Sequence, residues 1–502
     1  MLVSKTNFLE FLICPKNTWF KLHKPELLEM FALSPFELQL VEQGNEVELC
    51  ARNLFPEGTK VTATEDEAVR ETERLMLSKM PAIFQATFVV DGFIAKVDVL
   101  TYNRAKDCWS ICEIKGTNSI KEEGSDRSHI DDLAFQASVL KRAKVSVGRY
   151  ILIHLNKEYV RNGDLDLHKL FLMDDVTEQI LARLPDIEVK MAAASEHLPK
   201  EKEPSFQCDC IYSGRSSHCT TFQHSHPYVP AYSVHDLARI GNSKKKLAVM
   251  VDRKIFDLAD VPADIELSEI QQNQLRVHRT QKSIIDLDKI KEELGALEFP
   301  LYFLDYETFA PAIPMFDGYS PYSRIPFQFS LHVLRDASSE PEHVEYLHEY
   351  RSDPSESIVD LLVQHIKPKG SVISWNKSFE QGVNRELAGR VPRHRAVLEH
   401  INGQMYDLKD IFHKQYYVHP EFRGKTSIKK VLPALVSGVS YADLNIHEGG
   451  QASDAWWTMI SLSTSEVEQR QIASDLKTYC GLDTYAMYAV WRHLQNLIEE
   501  SL

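Results

Sequence analysis

The chain of 502 residues is longer than a single hydrophobic core usually serves, so two domains and a connector are expected. Hydrophobic residues at 43% and aromatic residues at 10% suffice to fill such cores, which excludes a disordered chain. A formal charge of −15 excludes a protein that coats nucleic acid through its overall field, but it leaves room for local basic patches and for acids that hold metal.

No apolar run reaches the ~18 residues that a membrane-crossing helix needs. The opening MLVSKTNFLEFLICPKNTWF lacks the uninterrupted apolar stretch and small-residue cleavage site of a signal peptide. A cytoplasmic protein with no membrane partner is the expectation. Eight cysteines are too sparse for a disulfide scaffold in a chain of this length, and in a reducing compartment a cluster of them points to metal. Cys14, Cys50, Cys108, Cys112 and Cys480 stand apart, whereas Cys208, Cys210 and Cys219 crowd into QCDCIYSGRSSHC.

Taken in chain order, residues 1–232 read as a mixed α/β domain. A helical opening precedes strands around ATFVVDGFIAKVDVLTY and WSICEIKG, a helix at HIDDLAFQASVLKRA and a strand at GRYILIHLN. Polar sequence containing cysteine and proline follows from about residue 196. Residues 233–298 have short helical patterns and read as a connector. A second α/β domain, residues 299–502, has strands at LYFLDYE, FQFSLHVL and SVISWN and then helices. Between its first two strands, FAPAIPMFDGYSPYSRIP reads as an ordered surface loop. The predicted fold class is therefore α/β in two domains.

In the first domain, GFIAKVDVL ends near Asp98, and after fourteen intervening residues SICEIKG presents Glu113 and Lys115 on one strand face. This spacing resembles the D…(D/E)-x-K pattern of PD-(D/E)XK nucleases. The resemblance implies a restriction-endonuclease-like fold, metal held by Asp98 and Glu113, and a lysine, Lys115, that positions or activates water. Charge alternation on an edge strand looks the same. Gln136 stands where RecB-type members carry Q-x-x-x-Y, although Leu140 replaces the tyrosine. Gly44 to Glu48 resembles their G-x-x-x-H motif, with Glu48 in the histidine position and Glu46 as a second acid. RecB-type nucleases related to CRISPR adaptation proteins hold a 4Fe–4S cluster with one cysteine before the core and three after it. The resemblance thus implies cluster ligation by Cys14, Cys208, Cys210 and Cys219. Zinc on the same four, or with His218, His224 or His226 substituting, and reduced structural cysteines without metal are the alternatives.

In the second domain, LYFLDYETF places Asp305 and Glu307 on one face of a strand and Tyr306 on the other. Two adjacent anions are costly unless a cation neutralises them, and magnesium is commonly bound by one or two carboxylates. WNKSFEQGVNREL opens a helix with Asn376, Phe379 and Glu380, while DLKTYCGLDTYAM puts Tyr479 and Asp483 four residues apart on a helix face. These residues resemble the three motifs of the DEDD exonucleases of the RNase H-like superfamily, in the tyrosine-bearing (DEDDy) branch that includes polymerase proofreading domains. The resemblance implies two magnesium or manganese ions held by Asp305, Glu307, Glu380 and Asp483. It also implies that Tyr479 orients or deprotonates the attacking water. Glu380 departs from the family aspartate by one methylene, and Asp407 in MYDLKDIF is the fallback acid, although such an aspartate in this family more often supports than ligates. Arg423, Lys425, Lys429 and Lys430 in RGKTSIKKVLPAL are candidates for tracking phosphates, or an exposed helix face. Residues 299–502 also resemble a bacterial family known only as a domain of unknown function.

The expected activity is that of a metal-dependent nuclease, a 3′→5′ exonuclease on single-stranded DNA through the second domain, with a second RecB-like site. DNA is favoured over RNA, whose recognition needs contacts to the 2′-hydroxyl. The alternative is a protein that binds nucleic-acid ends with one or both sites inactive.

Overall fold

The computed structural model describes residues 1–121, 128–205 and 208–501. The chain is mixed α/β and divides into two units. One comprises Met1–Ile211, Ser217–Pro227 and Pro311–Ser323, and the other Tyr212–Ser216, Tyr228–Ala310 and Arg324–Leu502. Among the described residues no helix is long and apolar enough to cross a membrane.

The first unit is built on a sheet in which β2 (Gly58–Lys60), β3 (Ala82–Val90), β4 (Phe93–Asn103), β5 (Cys108–Lys115), β6 (Val147–Leu155) and β7 (Phe171–Asp175) lie in that order. β1 (Val3–Ser4) pairs in parallel with β4, Val3 opposite Phe93. The helix His129–Arg142 covers one face, buried at every position from His129 to Leu140. Its ends suit the helix dipole, with Ser128 capping the amide of Asp131, acids in the first turn and Lys141 and Arg142 in the last. On the other face, Val47 and Ala51 of the helix Pro35–Arg52 join Ala312, Ile313 and Tyr322 in an apolar cluster.

Ala312 and Tyr319 are each 1% exposed, so the proline-rich segment expected at the surface is instead core of the first unit. Its alanine, isoleucine and tyrosines give it apolar area enough to be buried despite its turn-forming composition. Residues 233–298, read as a connector, belong to the second unit. Their helices Lys244–Asp252, Glu269–Thr280 and Leu287–Gly295 bury Leu247, Met250, Leu275, Val277, Ile290 and Leu294.

The second unit holds a five-stranded sheet in the order β11 (Glu342–Leu347), β10 (Ile325–Leu334), β9 (Leu301–Phe309), β12 (Ser371–Ser374), β13 (Met405–Asp407). β10 is antiparallel to both of its neighbours, whereas β12 is parallel to β9 and to β13. A ribbon of β8 (Ile284–Ile285) and β14 (Tyr417–Val418) lies apart from this sheet. β9 is central, and the period-two alternation divides its side chains cleanly. Tyr302, Leu304 and Tyr306 enter the core formed with helices Ser355–His365 and Lys377–Arg390, and Tyr306 donates a 2.8 Å hydrogen bond to Asn384. On the opposite face, Phe303 packs edge-on against Tyr488 and Trp491 of the helix Glu466–Glu500. Asp305 and Glu307 share that face.

Candidate active site

Parallel strands β9 and β12 end on the same edge of the sheet, where open α/β sheets bind ligands. Ile373 lies opposite Phe303, so the chain leaving β12 enters the helix Lys377–Arg390 beside Asp305 and places Glu380 in its first turns. Asp407, at the end of β13, accepts the backbone amides of Lys377 (3.0 Å) and Lys409 (3.2 Å), and so holds the start of that helix.

From the opposite side the helix Glu466–Glu500 presents Tyr479 and Asp483, one turn apart and both buried. Asp305 thus meets acids from three elements. Burial, then Asp483, Glu307 and Glu380 in turn, push its carboxyl well above the usual range, while Lys429 pulls the other way. Glu307 is pushed up by burial and by Asp483. Glu380 is pushed up to about 8, by burial first and by Asp407, against the opposing pull of its own helix amide and Arg324. The Oε2 atom of Glu380 is buried with no hydrogen-bond partner among the described residues. Burial pushes the Tyr479 phenol far up, and the surrounding acids add to it.

Three further groups complete the site. Lys429, on the helix Ile428–Leu435, donates a 3.1 Å hydrogen bond to the Tyr479 hydroxyl and lies 4.9 Å from that ring's centre. Arg423, Lys425 and Lys430 of the same basic stretch are exposed. Tyr441 donates a 2.6 Å hydrogen bond to Asp483 Oδ1, a contact with no signal in the sequence. Cys480 does not stand apart: its sulfur, Asp305 and Glu307 offer ligand atoms within 4.8 Å of one another, because its helix faces β9.

The first unit also brings its predicted residues together. Asp98 on β4 accepts the amide of Ile114 at 3.0 Å, which seats it beside Glu113 on β5. Gln136 donates to Glu113 at 2.7 Å and to Asp132 at 3.0 Å. Lys115 pairs with Glu113 at 2.8 Å and with Asp132. Burial and then Glu113 push Asp98 up to about 8, with Glu48 adding to it. Burial works against the Lys115 ammonium, but Asp132 and Glu113 outweigh it and hold its pKa up at about 12. Glu48 is tied to Arg52 and, at 2.5 Å, to Gln85, which also reaches Asp98 at 3.3 Å. Glu46 is exposed, and Leu140 is fully buried core. Asp132, four residues before Gln136, and Lys5 are members that motif reading missed. The i, i+4 spacing of Asp132 and Gln136 was the available signal.

Cys14 Sγ lies 3.5 Å from Cys208 Sγ, which lies 3.4 Å from Cys219 Sγ, and the sulfurs of these three and Cys210 all fall within 4.8 Å of one another. No disulfide joins them. Asn17 clasps the two arms, its Oδ1 accepting the amide (3.1 Å) and hydroxyl (2.7 Å) of Thr221. The group is a candidate metal site. His226 hydrogen-bonds the Cys208 carbonyl, His218 stacks on Phe222 and His224 meets Phe20 edge-on, so none joins the four sulfurs.

A family described as a domain of unknown function (DUF2779) matches residues 302–427, from β9 to Ser427, short of Lys429, Tyr441, Tyr479 and Asp483. Among curated proteins, an uncharacterized protein of Ureaplasma parvum is 27% identical over 297 residues, 54% of this chain and 42% of that protein. An uncharacterized protein of Mycoplasma pneumoniae is 27% identical over 250 residues, 45% of this chain and 37% of the relative. An uncharacterized protein of Mycoplasma genitalium is 24% identical over 245 residues, with the same coverage. The chain thus spans less than half the length of these relatives. No solved structure matches it.

Proposed function

We propose that the protein is a metal-dependent nuclease whose second unit hydrolyses phosphodiester bonds, acting as a 3′→5′ exonuclease on single-stranded DNA. The observation that carries this reading is that Asp305 and Glu307 offer ligand atoms within 4.8 Å of one another, with Asp483 and Glu380 near enough to act on Asp305 electrostatically and Tyr479 one turn from Asp483. The donor set fits hard divalent cations: carboxylate oxygens, half-buried at Asp305 and buried at the other three, raising one another's pKa, one of them without a hydrogen-bond partner among the described residues. Asp305, Glu307, Glu380 and Asp483 would hold magnesium or manganese, which supplies stabilisation of the attacking and leaving oxygens. The chain's own groups do the rest. Tyr479 is placed to orient or deprotonate the attacking water, and Lys429, donating to its hydroxyl at 3.1 Å, fixes its direction. The water oxygen forms the new bond to phosphorus and releases a proton to solvent, the bond to the leaving 3′-oxygen breaks, and that oxygen takes up a proton from solvent.

The first unit fits the RecB-like PD-(D/E)XK reading through Asp98, Glu113, Lys115 and Gln136, with a cysteine-held centre. A tetrahedron around zinc, with bonds of ~2.3 Å, has edges of about 3.8 Å, close to the sulfur spacings here. A 4Fe–4S cluster has an iron under each thiolate and requires the sulfurs to spread. Spacing therefore favours a single tetrahedral ion over the cluster that the resemblance implies.

Binding of nucleic-acid ends without turnover is the second reading. It is favoured by Glu380, which at about 8 carries its proton at neutral pH in the ion-free fold. End-labelled single-stranded DNA and RNA incubated with magnesium or manganese separate the two. Stepwise shortening from the 3′ end that vanishes in Asp305→Ala supports hydrolysis, and salt-dependent binding without shortening supports the alternative.

A further inference from the structure

The charge balance of the first unit's site differs from that of the second. Glu113 and Asp132 are 1% and 4% exposed, and each faces two ammonium groups. Lys115 comes from the next position on the same face of β5. The other is Lys5, whose Nζ lies 2.6 Å from Glu113 Oε1 and 3.2 Å from Asp132 Oδ1. Glu113 and Asp132 therefore meet two cations within hydrogen-bond reach, with Asp98 beside Glu113 as the site's third carboxyl. In the second unit, by contrast, the converging carboxylates of Asp305, Glu307 and Asp483 face Lys429.

Lys5 is held in place by the backbone around it. Ser4, paired with Ile94 through β1, caps the helix Lys5–Ile13 by accepting the Asn7 amide, which makes Lys5 the first helical residue. Phe8, fully buried, stacks on Phe135 of the helix His129–Arg142 at 4.9 Å and fixes that first turn over the sheet. A cation at a helix N-terminus opposes the macrodipole, so local helix energetics do not account for the lysine there. The two carboxylates do.

We infer that the Lys5 ammonium is the resident cation of the first unit's site, competing with a divalent ion for Glu113 and Asp132, so that metal enters only when Lys5 is withdrawn. Its side chain is 25% exposed, which leaves solvent on one side for that displacement. The inference rests on the nuclease-like reading of the first unit, and it makes the second unit the principal divalent-ion site of the intact chain.

The test is manganese binding by the full chain, read as free Mn2+ by electron paramagnetic resonance, in an Asp305→Asn, Glu307→Gln background that disables the second site. With Lys5 present, no Mn2+ binding should depend on Glu113, so adding Glu113→Gln changes nothing. Lys5→Met should create a site tighter by about 100-fold or more, the size of a close buried ion pair, and Glu113→Gln should abolish it. Lys5→Arg keeps the charge and should behave like Lys5, and Lys5→Gln replaces Lys5→Met if circular dichroism shows the latter unfolded. A Glu113-dependent Mn2+ site with Lys5 in place overturns the inference, as does a folded Lys5→Met or Lys5→Gln chain that gains none. Because the readout is ion binding to Glu113, either failure is separate from the presence or absence of cleavage by the second unit.

Discussion

Tyr441 donates its phenolic hydrogen to Asp483 Oδ1 over 2.6 Å, and so supplies a directed donor to a buried carboxylate that acts on both Asp305 and Glu307. Hydrogen bonds to charged groups contribute about 1.5–3 kcal/mol. Tyr441→Phe should therefore leave the ion-free fold intact but weaken Mg2+ binding by roughly tenfold or more at pH 7, with recovery as pH rises. Isothermal titration at pH 7 and pH 9 checks this, and equal affinities for variant and wild type would show the bond to be incidental.

Asp305 is half-buried among like charges, so neutralising it should help the ion-free protein. Asp305→Asn is expected to raise the ion-free melting temperature by several degrees while abolishing the further rise that wild type shows with millimolar Mg2+. A free energy of 1 kcal/mol moves the midpoint by about 2–4 °C in a domain of this size, so differential scanning fluorimetry resolves both effects. Destabilisation by Asp305→Asn without ions would mean that the carboxylate is already compensated.

The elements that carry the second site were legible because their periodicities are local. Leu301 to Leu304 announces a buried strand, the alternation after it puts Asp305 and Glu307 on one face, and a four-residue step puts Tyr479 and Asp483 together. Lys5, Tyr441 and Cys480 were not, since each reaches its partner across long sequence separations that only tertiary packing closes. β11 escaped because, as an edge strand, it is polar and half exposed along EHVEYL. The proline-rich segment Pro311–Ser323 escaped for the opposite reason: turn-forming composition hides how thoroughly Ala312 and Tyr319 are buried.

His332 is buried on β10, bonded through Nδ1 to Thr484 at 2.8 Å and stacked on His343 at 4.3 Å. Burial, and then His343, lower its pKa from 6.5 to about 4. The fold thus holds fewer protons than the unfolded chain between these values. Its stabilising share is complete above pH 6.5, falls as pH drops, and is lost by about pH 4, amounting to roughly 3 kcal/mol. His332→Asn should flatten the urea-unfolding stability measured between pH 7 and pH 5, and an unchanged slope would place the titration elsewhere.

Cys208 contacts both Cys14 and Cys219, so Cys208→Ser should release whatever metal the four sulfurs hold and lower the melting temperature of the first unit by several degrees. Metal analysis of wild type is expected to give one zinc per chain and colourless protein, as the sulfur spacing implies. Four irons, acid-labile sulfide and a brown colour would instead show that the thiolates spread to take a cluster.

The central claim is that Asp305, Glu307, Glu380 and Asp483 together trap divalent cations. Crystals of the protein soaked in Mn2+ and measured for anomalous scattering test it directly. The expected result is strong anomalous density among these four carboxylates, absent from Asp305→Asn crystals. Density confined to other sites, with these four carboxylates free of manganese, would contradict the account.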